Sequence, residues 1–450
     1  MRRTHLSKEV LNDLSEKVKK YAKIDNELYT KYNVKRGLRN QDGTGVLVGL
    51  TTVGEVSGYI VVDNEKVAVP GKLSYRGIEI RDIIEGLDGR RMGFEEIIYL
   101  LLFSKLPNKD ELDEFCDITS SYRDLPYGFT EDMVLKSPSK DIMNKLARSV
   151  LALYSYDNSP DDTSIPNAIR QSIELISRLS IIAAYGYHAK KHYYDGESLI
   201  LHQSVKEYSI AENFLHLIRN DNKFTALEAE ILDLMLILHA EHGGGNNSTF
   251  ATHVIASSGT DIYSAVSSAI GSLKGPRHGG ANIKVAEMLD DLYRTVEDVT
   301  DEEQICQYLS DTLDKKTNDG SGLIYGMGHA VYTVSDPRAD LLREKSRELA
   351  KEKGVLSDFN VIEAIERLAP IVINKKTQKE ICANVDLYSG FVYRILNIPQ
   401  ELFTPLFAIS RIAGWCAHFI EEIAMNGRIM RPAYKSVSEK ENYTPLENRK

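Results

Sequence analysis

The sequence is short of the features that mark disulfide-built, metal-clustered or membrane-spanning proteins. Its 450 residues hold four cysteines, Cys116, Cys306, Cys382 and Cys416, with no CxxC pair and no histidine at ligand spacing. That scarcity excludes a disulfide framework and a structural zinc site, and fits a reducing cytoplasm. No apolar run approaches the roughly 20 residues of a membrane helix. Positive charge is not in surplus either: 55 Lys and Arg against 65 Asp and Glu leave a formal net charge of -10. Nucleic acid and anionic membranes therefore meet no global attracting field, and an anionic ligand has to be caught locally. Solenoid repeats and low-complexity tracts are missing. The N-terminal MRRTHLSKEVLNDLSEKVKK lacks the apolar core of a secretory signal, and its Glu9, Asp13 and Glu16 are foreign to a transit peptide.

What is present is helical periodicity. Apolar stripes run over 8–32, 92–104, 140–154, 164–192, 204–219, 223–241, 261–274, 281–298, 302–314, 337–352 and 399–425. The clearest strand-like stretch is GYIVVDNEKVAVPGKLSYRG, where β-branched residues flank a polar DNEK turn and predict a minor hairpin near 58–77. The fold class is therefore mainly α, and the length suits two or three domains. A mainly helical protein carries its chemistry at helix ends and connections. Four glycine-bearing loops stand out: HAEHGGGNN (239–247), GPRHGGAN (275–282), NDGSGLIYGMGHAVY (318–332) and ANVDLYSG (383–390). They bracket a smaller helical domain, 280–390, inserted into a larger one made of 1–279 and 391–450.

Each loop residue has an ordinary reading beside a chemical one. His239 and His242 are three apart at a helix end, which suits capping, packing, an anion contact or, with Glu241, a metal. The pattern is not HExxH, and no third ligand is evident, so no metal is expected. In SDPRAD, Asp336 suits an N-cap and Pro337 the first helical position. Arg338 then opposes the helix dipole, which local structure does not reward. Asp386 is either an N-cap or an isolated acid. Arg411 lies in PLFAISRIAGWCAHFI, apolar on nearly every face, so its guanidinium needs a carboxylate from the protein or a ligand. Arg428 and Arg431 follow the helix-stopping Gly427. Histidines on glycine-flanked loops, a lone aspartate and several arginines describe a site for a small di- or tricarboxylate worked on by acid–base chemistry.

These motifs, in this order, resemble the citrate synthase family. PGKLSYRGIEIRDI (70–83), GPRHGGAN, GMGHAVYTVSDPRAD, NVDLYSG and FAISRIAGW carry the likeness, which runs from about residue 44 to residue 434. The resemblance implies the family's large and small helical domains, with catalytic roles for His278, His329 and Asp386. It implies that His242, Arg338, Arg411 and Arg431 bind oxaloacetate, and that Ile324, Tyr325, Gly326, Met327 and Gly328 form the coenzyme A loop. Where the family often reads PGYGH, this chain reads YGMGH. The resemblance further implies a homodimer in which Arg431 reaches the partner subunit's site, acetyl-coenzyme A as substrate and no cofactor. In that scheme His278 is a neutral donor to the thioester oxygen, its second nitrogen held by an acceptor, and the small domain closes after the keto acid binds. The nearest alternative is 2-methylcitrate synthase, which takes propionyl-coenzyme A; more distant ones are a metal hydrolase on His239, Glu241 and His242 and a binding protein without turnover.

Overall fold

A computed structural model of the chain describes residues 7–21, 23–40, 43–62 and 65–449. Contacts divide the chain into two units, Met1–Leu50 and Thr51–Lys450. In the first, the stripe expected over 8–32 is two helices, Lys8–Tyr21 and Asn26–Lys31. The break follows from Asp25, which takes an extended conformation and caps the second helix by accepting from the Glu27 N–H. The first helix leaves Val10, Leu11, Leu14 and Val18 exposed along one face.

The second unit is built of helices around one element. Helix Phe403–Ala424 is buried at eighteen of its positions, Arg411, Trp415 and His418 included. It packs against helices Gly93–Phe103, Ile165–Asp195, Ala226–His239, Asn247–Ala256 and Ile262–Lys274. Each large apolar side chain buried there contributes about 1.5 to 3 kcal/mol. Helix starts carry local signals: Ser209 with Glu212, and Thr225 with Glu228, form reciprocal capping boxes at helices Ile210–Ile218 and Ala226–His239. Residues 280–390, expected to form a smaller domain, hold helices Ala281–Thr295, Glu302–Leu313, Pro337–Glu352 and Leu356–Thr377 and the start of Val385–Ile395.

The expected hairpin is present. Strands β1 (Gly54–Val62) and β2 (Glu65–Tyr75) pair antiparallel, and a short β3 (Ile78–Glu79) adds to β2. Asp63 and Asn64 of the polar turn lie outside the described residues. The register shifts between Ser57 and Tyr59, at Gly58. There, as at Gly71, the backbone comes so close to the segment 331–335 that a Cβ would collide with Val331, Tyr332 or Ser335. The Gly71 N–H donates to Ser335 Oγ at 3.2 Å. The hairpin thus lies directly against the segment that follows His329.

Candidate active site

The loop before His329 is tied to the entry of helix Val385–Ile395. Met327 and Ala383 form a β-bridge, the Asn384 N–H donates to Gly326 O at 2.9 Å, and the Gly328 N–H donates to Cys382 O at 2.8 Å. Asn384 Nδ2 adds a bond to Gly328 O at 2.7 Å. Gly326 has φ +81°, and a Cβ there would lie 2.8 Å from that of Leu387, so only glycine fits. Ile324 is buried, and Tyr325 OH donates to Asp319 Oδ2 at 2.7 Å. His329 Nδ1 accepts the N–H groups of Val331 and Tyr332 at 3.1 and 3.2 Å. The neutral ring therefore carries its proton on Nε2. Tyr332 stacks on it, with centroids 4.6 Å apart, and His242 meets it edge-on at 5.1 Å.

His242 follows helix Ala226–His239, and Arg411 lies on helix Phe403–Ala424, which packs against it. His242 is buried, and burial, reinforced by the charge of Arg338 and by His329, holds its pKa well below the usual imidazole value. It is neutral at any physiological pH. Arg411 is fully buried, with its guanidinium 4.9 Å from the Phe407 ring and Nε donating to His239 O at 2.6 Å. Burial lowers its pKa to about 10 against the pull of Glu241. Among the described residues, Arg411 Nη1 and Nη2 and His242 Nε2 have no hydrogen-bond partner. His239 is a packing residue: its Nδ1–H donates to Met235 O at 2.8 Å, and its ring meets Phe407 edge-on.

Arg338 corrects one expectation. Local structure does reward it, because Nε and Nη2 donate to Asp336 Oδ1 and Oδ2 at 3.0 and 2.7 Å. Asp336 is also the helix N-cap, accepting from the Arg338 N–H, so one carboxylate serves both purposes. The arginine remains beside the three rings, 5.8 Å from the Tyr332 centroid.

His278 leans on a helix start. The Ser248 N–H, in the first turn of helix Asn247–Ala256, points at its Nε2 from 3.3 Å, and Ser248 Oγ lies 3.0 Å from the same atom. Trp415 Nε1 donates to that hydroxyl at 3.1 Å. Nε2 thus faces a donor in the Ser248 N–H and, in Ser248 Oγ, a hydroxyl that itself donates to Asn246 Oδ1 at 3.0 Å and can accept. Burial, then the Arg411 charge, push the pKa of His278 down to about 4. Asp386 is not the cap of its helix: Asn384 is, accepting from the Asp386 N–H at 3.0 Å. Burial raises the Asp386 pKa to about 6, against the opposing charge of Arg338.

The structure thus gathers His242, His329, Arg338 and Tyr332, sets Arg411 within reach of His242 and Asp386 within reach of Arg338, and places His278 within reach of Arg411. Arg431 is not among them; it is exposed on a C-terminal segment without regular secondary structure. Ser248, Tyr332 and Trp415 were not foreseen. Only the GHAVY context of Tyr332 hinted at it, whereas Ser248 is an ordinary serine until the fold brings it to a histidine 30 positions away. Among the described residues no group of three His, Cys, Asp or Glu side chains has the arrangement of a metal site, and no helix is long and apolar enough to cross a membrane.

The chain is similar to known proteins over most of its length. A family model described as citrate synthase, C-terminal domain, matches residues 42–433. The chain is 34% identical to the citrate synthase of Haloferax volcanii over 84% of its own length and 93% of that protein's. It is 33% identical to the Synechocystis citrate synthase, over 95% and 96% of the two chains. A 2-methylcitrate synthase of Shewanella oneidensis is 31% identical, over 90% and 98%. Among solved structures, the citrate synthase of Thermotoga maritima superposes with a TM-score of 0.72 at 29% identity, over 93% and 99% of the chains. The citrate synthase of Thermoplasma acidophilum, in ternary complex with carboxymethyl coenzyme A and oxaloacetate, superposes with a TM-score of 0.74 at 26% identity, over 92% and 99% of the chains.

Proposed function

The chain belongs to the citrate synthase family of transferases, and from that premise we propose that it joins the methyl carbon of acetyl-coenzyme A to the ketone carbon of oxaloacetate, then hydrolyses the thioester to citrate and coenzyme A. The observation that carries the assignment of the keto acid is the set of buried, unpartnered donors on Arg411 beside a neutral His242. A guanidinium fork matches a carboxylate bidentately, and leaving such groups unpaired is costly. Arg338, and Arg431 from a partner subunit, complete the hold on the two carboxylates.

A thioester methyl is a weak carbon acid, so its deprotonation needs a base and a stabiliser acting together. Asp386, with a pKa of about 6, is ionised at neutral pH and basic enough to take the proton. His278, neutral with its pKa near 4, donates to the thioester oxygen as negative charge develops there. His329, with Nδ1 occupied by two backbone donors, presents Nε2–H to the ketone and protonates the new alkoxide. The loop Ile324 to Gly328 offers backbone groups to coenzyme A. Closure of 280–390 over the large domain, after the keto acid binds, keeps the enolate from being reprotonated by water. Four free cysteines, none paired, suit the cytoplasm. The exposed C-terminal arm, with Tyr434, Tyr443 and Leu446 uncovered, suits a homodimer in which it lies on the partner.

The test is thiol release from acetyl-coenzyme A and propionyl-coenzyme A, each with oxaloacetate, for wild type, Asp386→Asn and His278→Ala. Release should depend on oxaloacetate and fall about 10²- to 10⁴-fold in each variant. Release without oxaloacetate, or variants that keep pace with wild type, would dismiss the assignment. Because 2-methylcitrate synthases are among the relatives, a kcat/KM ratio favouring propionyl-coenzyme A would make that the activity.

A further inference from the structure

Behind His242 lies a chain of four ionisable groups that the chemistry above does not use. Glu241 is wholly buried, and its Oε1 accepts from His418 Nε2 at 3.1 Å and from the Gly243 N–H. His418 Nδ1 meets His253 Nε2 at 3.1 Å, and His253 Nδ1 meets Glu422 Oε2 at 2.8 Å. Thr51 Oγ1 and Glu421 Oε2 stand 3.5 and 3.8 Å from the same His418 Nδ1. Two neutral imidazoles carry two ring hydrogens, enough to serve both carboxylates: Nε2–H of His418 turns to Glu241 and Nδ1–H of His253 to Glu422.

The slot for Glu241 is made by glycines. A Cβ at Gly54 would lie 2.6 Å from Glu241 Cγ, and one at Gly414 would collide with Oε2. Burial raises the carboxyl's pKa, but His418, Arg411 and the Gly243 amide pull harder and hold it below the ordinary value. Yet this carboxylate does not pair with the arginine it faces. Glu241 Oε2 and both Nη atoms of Arg411 have no hydrogen-bond partner among the described residues, although each side chain feels the other's charge. A carboxylate that crossed the gap would take the fork assigned above to the keto acid.

We propose that His418, oriented by His253 and Glu422, is a positioning residue that holds Glu241 away from Arg411 and so keeps the guanidinium available to a substrate carboxylate. This rests on the assignment of Arg411 to oxaloacetate. In His418→Asn the amide replaces Nδ1 but falls short of Glu241, which is then free to turn to Arg411. Oxaloacetate affinity should drop about 10- to 100-fold, the worth of a charge-assisted fork, while kcat at saturation stays within about threefold because the reacting groups are untouched. His418→Gln, whose amide reaches the Nε2 position, should keep affinity near that of wild type. Adding Glu241→Gln to His418→Asn removes the competing charge and should restore binding, a rescue that a purely structural role does not produce.

The experiment is calorimetric binding of oxaloacetate to wild type, Glu241→Gln and the three His418 variants, with KM and kcat from thiol release and a melting curve for each. Support is weak binding in His418→Asn alone, repaired by Glu241→Gln. Unchanged affinity in a folded His418→Asn, or a double variant no better than the single, overturns the proposal. Should His418→Asn not fold, Glu241→Gln alone decides: it should bind about threefold tighter, because an anion facing a dianionic ligand has gone, and looser binding refutes the idea. Wild type that binds no oxaloacetate removes the assignment of Arg411, and this proposal with it.

Discussion

Asp386 must be ionised to take a proton, and its burial works against that ionisation. With its pKa raised to about 6, kcat/KM should climb as pH rises through 6 and then level off, and pH–rate profiles should lose this limb in Asp386→Asn. His278, down near 4, and His242, well below the imidazole range, remain neutral across the window and add no second limb. The same shift bears on stability. A carboxyl whose folded pKa is raised favours the folded state below its ordinary value and gives that up as pH rises through the folded one. Asp386→Asn should therefore melt higher than wild type at pH 7 to 8, by up to about 3 kcal/mol of stability, with the gap closing below pH 4; equal melting at both ends would contradict the burial argument. Residues like Asp386, His278 and Arg411 were legible because their type clashed with their surroundings in the sequence. Ser248, His253 and His418 were not, since a serine in a polar turn or a histidine in a helical stripe clashes with nothing until distant segments meet.

Helices with a broad apolar face were legible nearly to their ends: 164–192 became Ile165–Asp195, and 261–274 became Ile262–Lys274. Lys109–Ser121 was not, because Leu112, Phe115 and Thr119 are its only fully buried positions among many acids, and in Leu356–Thr377 the internal Pro370 reads as a stop. Tertiary packing decides such elements. It also explains a requirement invisible in one dimension, the pressing of the hairpin against 331–335. A methyl at Gly71 would meet Tyr332 Cδ1 at 2.6 Å and the Ser335 carbonyl closer still. Gly71→Ala should cost about 1 to 3 kcal/mol as overpacking and lower kcat/KM, because Val331 and Tyr332 supply the donors that orient His329. Gly86→Ala, inside helix Ile80–Leu87 with nothing within 4 Å of the new methyl, should be stabilised by about 0.5 to 1 kcal/mol. Melting curves and thiol-release assays on the pair separate crowding at the hairpin from a general intolerance of alanine.

Within one chain, the site is short of one expected arginine. Arg431 lies on an exposed C-terminal segment without regular secondary structure, outside the cluster formed by His242, His329 and Arg338. If it serves the partner's site, each site of a homodimer draws Asp386 from one chain and Arg431 from the other. Two inactive variants, Asp386→Asn and Arg431→Ala, then complement each other. A hybrid dimer holds one site with both defects and one site with none. Unfolding and refolding an equal mixture makes hybrids half of all dimers, so activity should return to roughly a quarter of the wild-type value. If Arg431 instead folds back onto its own chain, each site in the hybrid carries one lesion, and the mixture stays as inactive as its parents. The readout needs no partner structure, and it distinguishes a shared site from a self-contained one by a number that neither variant can produce alone.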